Sequence, residues 1–287
     1  MRSRGWWWSR GRLVRRGAGR PAALLGRPIL EVLEDRLAPS VTALKVVNDT
    51  AHAAGYIAAP SQFDLYQVHR PRTDTDIEET LSALSDLVHQ GKVRYIGSST
   101  FPASQIVEAQ WIARDRRLRR FITEQPPYSI LVRQAEADVL PTCARHGMGV
   151  LTYSPLAGGW LSGRWRKEKG QQESSRANRL PERFELSQPG NQRKLDAVEQ
   201  LAKLAEETGI TLIELAIAFV LCHPAITSAI IGPRTIEQLE SQLPAADIDL
   251  DETVLHQIDE IVAPGITVNP VDNSFQNPAL EPTARRR

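Results

Sequence analysis

Residues 63–100, FDLYQVHRPRTDTDIEETLSALSDLVHQGKVRYIGSST, decide the fold because they predict a strand, a helix and a second strand in succession. The first strand is apolar or aromatic at four positions: Phe63, Leu65, Tyr66 and Val68. It ends at His69, a polar residue followed closely by Pro71. Apolar residues at helical spacing then predict a helix with one buried face: Ile77, Leu81, Leu84 and Val88. Thr75 and Glu78 fit a capping box at the start of this helix.

The same alternation continues to about residue 262. Four further strands are predicted, in the segments KVRYIGSST, RFITEQ, MGVLTYSPL and ITSAIIG. Helices are predicted between them, and a long polar loop rich in glycine runs from Ala157 to Gly190. Alternating strands and helices predict a parallel sheet with crossover helices, either a barrel or a doubly wound open sheet.

The ends of the strands favour the barrel. Each predicted strand finishes on polar or conformationally special residues: His69, Ser98–Thr100, Glu124–Gln125, Tyr153–Ser154, and Gly232 with Arg234. In a barrel all these ends meet at one rim, where barrel active sites are built. We therefore predict an α/β fold of the (β/α)8 TIM-barrel type. It is expected to be incomplete, because about five of eight βα units are recognisable and residues 41–62 have room for at most one more strand, in VTALKVVN.

Three segments follow from this interpretation: an extension over residues 1–45, a partial barrel over 46–263 and a tail over 264–287. The extension is rich in arginine, contains three consecutive tryptophans and has no acidic residue before Glu31. We expect the extension and the tail to be disordered. A basic arm that touches phosphate or a membrane is the alternative for the extension.

Composition excludes several classes of function. A formal net charge of +1 gives no reason to expect nucleic acid as a partner. No apolar run reaches the roughly 18 to 20 residues of a membrane span. Two cysteines are too few for a disulfide framework and lack metal-site spacing, so we expect a cytoplasmic protein without a metal. Exposed edges of a partial barrel favour a homo-oligomer that covers them.

Five segments together give the chain a family resemblance: DLYQVHRP, GKVRYIGSST, EQPPYS, LTYSPLAGGWLSGRW and SAIIGPRTIEQL. With these segments the chain resembles the aldo/keto reductase family from Phe63 to about Val262. The resemblance implies a (β/α)8 barrel that binds NADP(H) without a Rossmann domain and reduces a small carbonyl substrate, an aldehyde or a ketone.

The resemblance also implies roles for individual residues. The family's strand-end histidine falls on His69, which would hydrogen-bond and orient the substrate carbonyl. Ser99, Thr100 and Gln125 would hold the nicotinamide carboxamide, with Thr100 in place of the family's asparagine. Tyr153 matches the aromatic residue on which the nicotinamide ring stacks. Trp160, close by, would either cover the cofactor or pack the loop that carries it.

The remaining cofactor contacts implied by the resemblance lie in two loops. The loop over the pyrophosphate matches Ser154, Leu156 and Gly158. The loop for the adenosine phosphate matches Gly232 and Arg234, with Gln238 at the adenine contact. Because an arginine suits a 2′-phosphate, the resemblance favours NADP over NAD.

The family's general acid is a tyrosine in a D-T-A-x-x-Y-G motif, supported by an aspartate and a lysine, all upstream of the histidine. Residues 49–51 echo the start of that motif, but the next tyrosine, Tyr56, lies two positions too far along, and Lys45 precedes the motif instead of following it. General acid–base catalysis contributes about 10²–10⁴-fold to rate. The sequence therefore predicts an NADP(H)-dependent reductase of doubtful competence. The alternatives are an inactive nucleotide-binding or regulatory module, or a truncated product without function.

Overall fold

The computed structural model describes residues 6–9, 46–48, 63–72, 74–173, 175–273 and 281–285. The strands are β1 (Trp6–Ser9), β2 (Val46–Asn48), β3 (Phe63–Val68), β4 (Val93–Ser99), β5 (Thr123–Gln125), β6 (Gly149–Tyr153) and β7 (Ser228–Ile231). The α-helices are Ile77–His89, Ala103–Asp115, Val139–Arg145, Ser175–Arg179, Pro189–Thr208, Leu212–Cys222, Ile236–Glu240, Glu252–Ile261 and Pro282–Arg285. Short 3-10 helices are Gln134–Glu136, Ala157–Ser162, Lys167–Lys169, Pro181–Arg183, Leu243–Asp247 and Pro270–Asp272.

The strands form one sheet in the order β1-β7-β6-β5-β4-β3-β2. Strands β3 to β7 are mutually parallel and adjacent in chain order, which confirms the five predicted strands. The sheet curls into a half-barrel, so the prediction of an incomplete (β/α)8 barrel is confirmed. All five strands therefore end on the same rim.

Two short strands flank the five. Strand β2 runs parallel to β3 with Val46 opposite Leu65, where the sequence left room for one more strand. Strand β1 pairs antiparallel with β7. The rest of the predicted extension over residues 1–45 lies outside the described residues.

Side-chain hydrogen bonds cap the first turns of two helices. Asp76, not Thr75, caps the Ile77–His89 helix, because its carboxylate accepts a hydrogen bond from the Glu78 amide at 2.7 Å. Thr211 and Glu214 form a capping box on the Leu212–Cys222 helix, which is buried along most of its length. Within the ranges given above, no helix is long and apolar enough to cross a bilayer.

Gly97 allows strands β4 and β5 to approach closely at the rim. A β-carbon at this position would overlap Thr123 Oγ1 and would lie 3.3 Å from the Gln67 side chain. Only glycine fits this contact without displacing the strands.

The packed chain extends past residue 263, where the sequence analysis placed the start of the tail. The Lys194 ammonium, fully buried, donates to Asp272 Oδ2 at 2.9 Å. Asn269 is buried and donates from Nδ2 to Asn191 Oδ1 at 2.8 Å. Residues 264–273 thus pack against the Pro189–Thr208 helix, a contact between distant segments that has no periodic pattern in the sequence.

Candidate functional site

The carboxyl ends of β3 to β6 bring the predicted nicotinamide residues to one rim. Ser99 pairs with Gln125 across β4 and β5, so the two predicted carboxamide contacts are neighbours. Tyr153 ends β6, is half-buried and bridges to Pro127 just after β5. His69 directly follows β3 and is half-buried. The predicted strand-end positions are confirmed; the roles of these residues remain predictions.

A buried amide network orients Gln125. Its Nε2 donates to Gln67 Oε1 at 2.8 Å, and Gln67 is fully buried. Gln67 Nε2 in turn lies 3.2 Å from both the Ser98 carbonyl oxygen and Thr123 Oγ1. The sequence analysis missed Gln67. An amide between apolar neighbours on a buried strand could have identified it, because buried polar groups are nearly always hydrogen-bonded.

The turn after β4 carries Ser99 and Thr100. Ser99 Oγ donates to the Gln125 carbonyl oxygen at 2.9 Å, and the Thr100 amide donates to the same oxygen at 3.2 Å. Thr100 has a φ of 61°, in the left-handed region that non-glycine residues avoid. The turn is therefore held in one uncommon conformation against the end of β5.

A cavity opens beside the end of β6. One wall is the loop after β6, with Tyr153, Ser154, Ala157 and Gly158. The other wall comes from the predicted polar loop, with Arg176, Leu180, Arg183 and Phe184. The remaining lining residues are Pro127, Tyr128, Val132 and Asp272.

The loop after β6 has an uncommon backbone conformation beside this cavity. Ser154 and Ala157 have φ values of 59° and 48°, and Gly158 and Gly159 have values of 71° and 108°. A β-carbon on Gly158 would come within 3.2 Å of Phe184 Cζ and 3.5 Å of Arg176 Nη1. Glycine therefore allows the loop to lie close against Phe184 and Arg176.

Arginines surround this side of the cavity. Partial burial, and then repulsion from Arg179, Arg234, Arg164 and Arg183, lowers the pKa of Arg176. These five arginines therefore lie near enough to interact electrostatically, and we call them the arginine cluster. Arg183 Nε is buried and, within the described part of the chain, has no hydrogen-bond partner. A buried donor without a partner is unfavourable, and Arg183 lines the cavity, so this Nε is a candidate donor to a bound anion.

The sequence analysis missed Arg164, Arg176 and Arg183. They lie in the irregular 157–190 segment, where no periodicity indicates which side chains face inward. The one available indication was the density of arginine in a loop that follows the glycine-rich turn at Gly158–Gly159. A cluster of like charges needs a counter-charge, and phosphate is the group that arginine binds best.

The predicted adenosine-phosphate loop follows β7. Gly232 and Arg234 are exposed there. The charge of Arg234 is one of those that lower the pKa of Arg176, so Arg234 is part of the arginine cluster. The Arg234 amide donates to Gln238 Oε1 at 2.8 Å, so Gln238 braces the loop. Its predicted adenine contact remains a prediction.

Trp160 packs the loop. It is buried, stacks on Trp165 with ring centroids 4.3 Å apart, and lies 4.4 Å from the Lys194 ammonium. The structure therefore decides between its two predicted roles in favour of packing. The motif echoes at Lys45, residues 49–51 and Tyr56 lie outside the described residues.

Comparisons with known proteins agree with this geometry. The aldo/keto reductase family profile matches residues 59–263. The chain is 38% identical over 198 residues to the uncharacterized oxidoreductase YrpG of Bacillus subtilis, covering 69% of this chain and 58% of that protein. It is 34% identical over 210 residues to a probable voltage-gated potassium channel subunit beta of Arabidopsis thaliana, covering 69% and 61%.

A third relative has a name that describes a reductase. Norsolorinic acid reductase B of Aspergillus parasiticus is 32% identical over 199 residues, covering 69% of this chain and 50% of that protein. The chain therefore spans about half to six-tenths of the length of these relatives. With the family profile matching residues 59–263 and the five parallel strands in agreement, the chain belongs to the aldo/keto reductase family.

Proposed function

We propose that this chain binds NADP(H) along the rim of its half-barrel and reduces a small aldehyde or ketone. The observation that supports this most directly is the pairing of the Gly158 loop with Arg176 and Arg183 across one cavity. A glycine-rich backbone facing guanidinium groups is suited to a pyrophosphate. The unpartnered Nε of Arg183 fits the same group.

In this proposal the dinucleotide extends from β4 to β7. Ser99, Thr100 and Gln125 hold the carboxamide, and Tyr153 stacks on the nicotinamide ring. Three loop residues receive the pyrophosphate: Ser154, Leu156 and Gly158. The adenosine end lies along Gly232, Arg234 and Gln238. When bound, the cofactor supplies the hydride.

His69 would orient the carbonyl by a hydrogen bond to its oxygen, which carries the developing negative charge. The upstream sequence offers no tyrosine at the family's spacing to protonate that oxygen. We therefore expect turnover to be slow, by a factor of about 10²–10⁴ relative to a site with a matched general acid.

Fluorescence titration with NADPH and NADH tests the cofactor assignment. We expect saturable binding of both, tighter for NADPH. Arg234→Ala should weaken NADPH binding and leave NADH binding unchanged, because only NADPH carries the 2′-phosphate. The matched control is Arg193→Ala, which removes the same charge from an exposed position on the Pro189–Thr208 helix. Equal losses for both nucleotides would contradict the 2′-phosphate role.

Cofactor binding without turnover is the second candidate. It is favoured by the incomplete acid–base set in the sequence and by relatives whose names describe potassium channel β subunits. Oxidation of NADPH with a simple aldehyde separates the two candidates. Saturable binding with no aldehyde-dependent oxidation would leave the binding module as the function.

A further inference from the structure

Glu124 is a fully buried carboxyl group beside the proposed nicotinamide site. It lies on β5 immediately before Gln125 and opposite Ser98 in the register of β4 and β5. Successive side chains of a strand point to opposite faces of the sheet, so the side chains of Glu124 and Gln125 contact different parts of the protein. Gln125 joins the amide network with Gln67, whereas the Glu124 carboxyl reaches the turn after β4.

The carboxyl group joins both ends of that turn. Its Oε2 accepts from Ser98 Oγ at 2.5 Å, and its Oε1 accepts from the Phe101 amide at 3.1 Å. Ser99 and Thr100 lie between these two anchors, and Thr100 has the left-handed φ of 61°. A left-handed conformation is unfavourable for a non-glycine residue, so it persists only where surrounding contacts fix it. Glu124 provides two of those contacts.

Burial makes the ionised form of the Glu124 carboxyl group unfavourable. Burial raises the pKa of Glu124 to about 7, and the bonds from Ser98 and Phe101 offset only part of that effect. The titratable neighbour that faces it is the buried Cys143 thiol. Glu124 does not line the cavity. Its hydrogen bonds go to Ser98 and to the backbone at Thr100, Phe101 and Gln125. The hydrogen bonds to Ser98 and Phe101 hold the turn after β4.

We propose that Glu124 is a positioning residue for the nicotinamide half of the cofactor, acting by holding residues 98–101 in the conformation that presents Ser99 and Thr100. The inference rests on the proposed cofactor site. It predicts that losing the carboxyl group weakens recognition of the nicotinamide end and spares the phosphate end, which is bound by distant arginines.

Calorimetric titration of the full chain with two ligands tests this. NADPH carries the nicotinamide, and 2′-phospho-ADP-ribose lacks it. We expect Glu124→Ala to weaken NADPH binding by about tenfold, the equivalent of one lost hydrogen bond. Binding of 2′-phospho-ADP-ribose should stay within about twofold. Glu124→Gln should recover most of the affinity, since its amide can accept from Phe101 and donate to Ser98.

Two further comparisons make the result decisive. If Glu124→Ala does not fold, Ser98→Ala removes the anchor on the other side and should show the same loss for NADPH alone. Equal losses for both ligands, or no loss for NADPH in either variant, would overturn the positioning role. A wild-type chain that binds neither ligand would overturn the proposed function, and this role with it.

Discussion

Gln125 donates a hydrogen bond to Gln67 at 2.8 Å, and this bond links the ends of β5 and β3 across the intervening strand β4. Both side chains are buried, and Gln67 passes the connection on to Ser98 and Thr123. The proposed carboxamide contact is therefore oriented by residues on three neighbouring strands. In the proposed function, this arrangement would fix the Gln125 amide in one orientation for the nicotinamide carboxamide.

Removing Gln67 should destabilise the rim. Gln67→Ala leaves the Gln125 amide without its buried acceptor, so we expect the free energy of unfolding to fall by about 1–3 kcal/mol. Urea denaturation measures the change. Gln200→Ala, at an exposed position, is the matched control and should stay within about 0.5 kcal/mol of wild type. A Gln67 variant as stable as this control would show that the network contributes nothing.

Arg176 should contribute to binding of both nucleotides. It faces the Gly158 loop, where the pyrophosphate is proposed to bind. Arg176→Ala should therefore weaken NADPH and NADH by similar factors of about 10 to 100, the value of a charge-assisted hydrogen bond. Arg193→Ala again serves as the control. A loss confined to NADPH would reassign Arg176 to the 2′-phosphate.

We expect the free energy of unfolding to depend on pH through the Glu124 carboxyl group. Its folded-state pKa of about 7 lies above the ordinary 4.5, so the folded protein holds the proton more tightly than the unfolded chain does. The stability it contributes is complete below about pH 4.5 and is lost as pH rises toward about 7. The full shift corresponds to on the order of 3 kcal/mol.

Comparison with Glu124→Gln isolates this effect, because the amide does not titrate and all other groups are common to both proteins. We expect the wild type to lose stability relative to the variant between about pH 4.5 and about pH 7, measured by urea denaturation. Parallel pH profiles would contradict the raised pKa.

Lys194 should be important to the stability of the C-terminal segment. Its ammonium is fully buried, pairs with Asp272 at 2.9 Å and donates to the Arg183 carbonyl oxygen at 2.7 Å. Lys194→Met removes the cation and leaves the mostly buried Asp272 carboxylate unpaired, so we expect a loss of about 3 kcal/mol. Adding Asp272→Asn to the same chain should restore part of the loss. The contradicting result is additivity. If Asp272→Asn lowered the free energy of unfolding by the same amount in the Lys194→Met chain as in the wild type, the two residues would be independent.

Much of the fold could be predicted from the sequence because buried parallel strands and amphipathic helices have local patterns. Strands β3 to β7 were identified by apolar runs, and the polar residues at their ends indicated the rim. The helix cap was assigned one residue too early, since Thr75 and Asp76 are both good capping residues. Only the backbone decides which of them accepts from Glu78.

The cationic half of the site could not be predicted in the same way. Arg176 and Arg183 line the same cavity as Gly158, and Trp160, Trp165 and Phe184 of the 157–190 segment stack on one another. The position of this segment depends on such tertiary packing. Asp272 reaches Lys194 across 78 residues of sequence. Such contacts are set by tertiary packing and have no local pattern.

The most direct test of the central claim is one calorimetric titration of the full chain with NADPH, repeated with NADH. We expect a single saturable site that prefers NADPH, because in the proposed function the Gly158 loop and the arginine cluster would receive the pyrophosphate and Arg234 would receive the 2′-phosphate. Absence of saturable binding, in a sample that unfolds cooperatively, would contradict it.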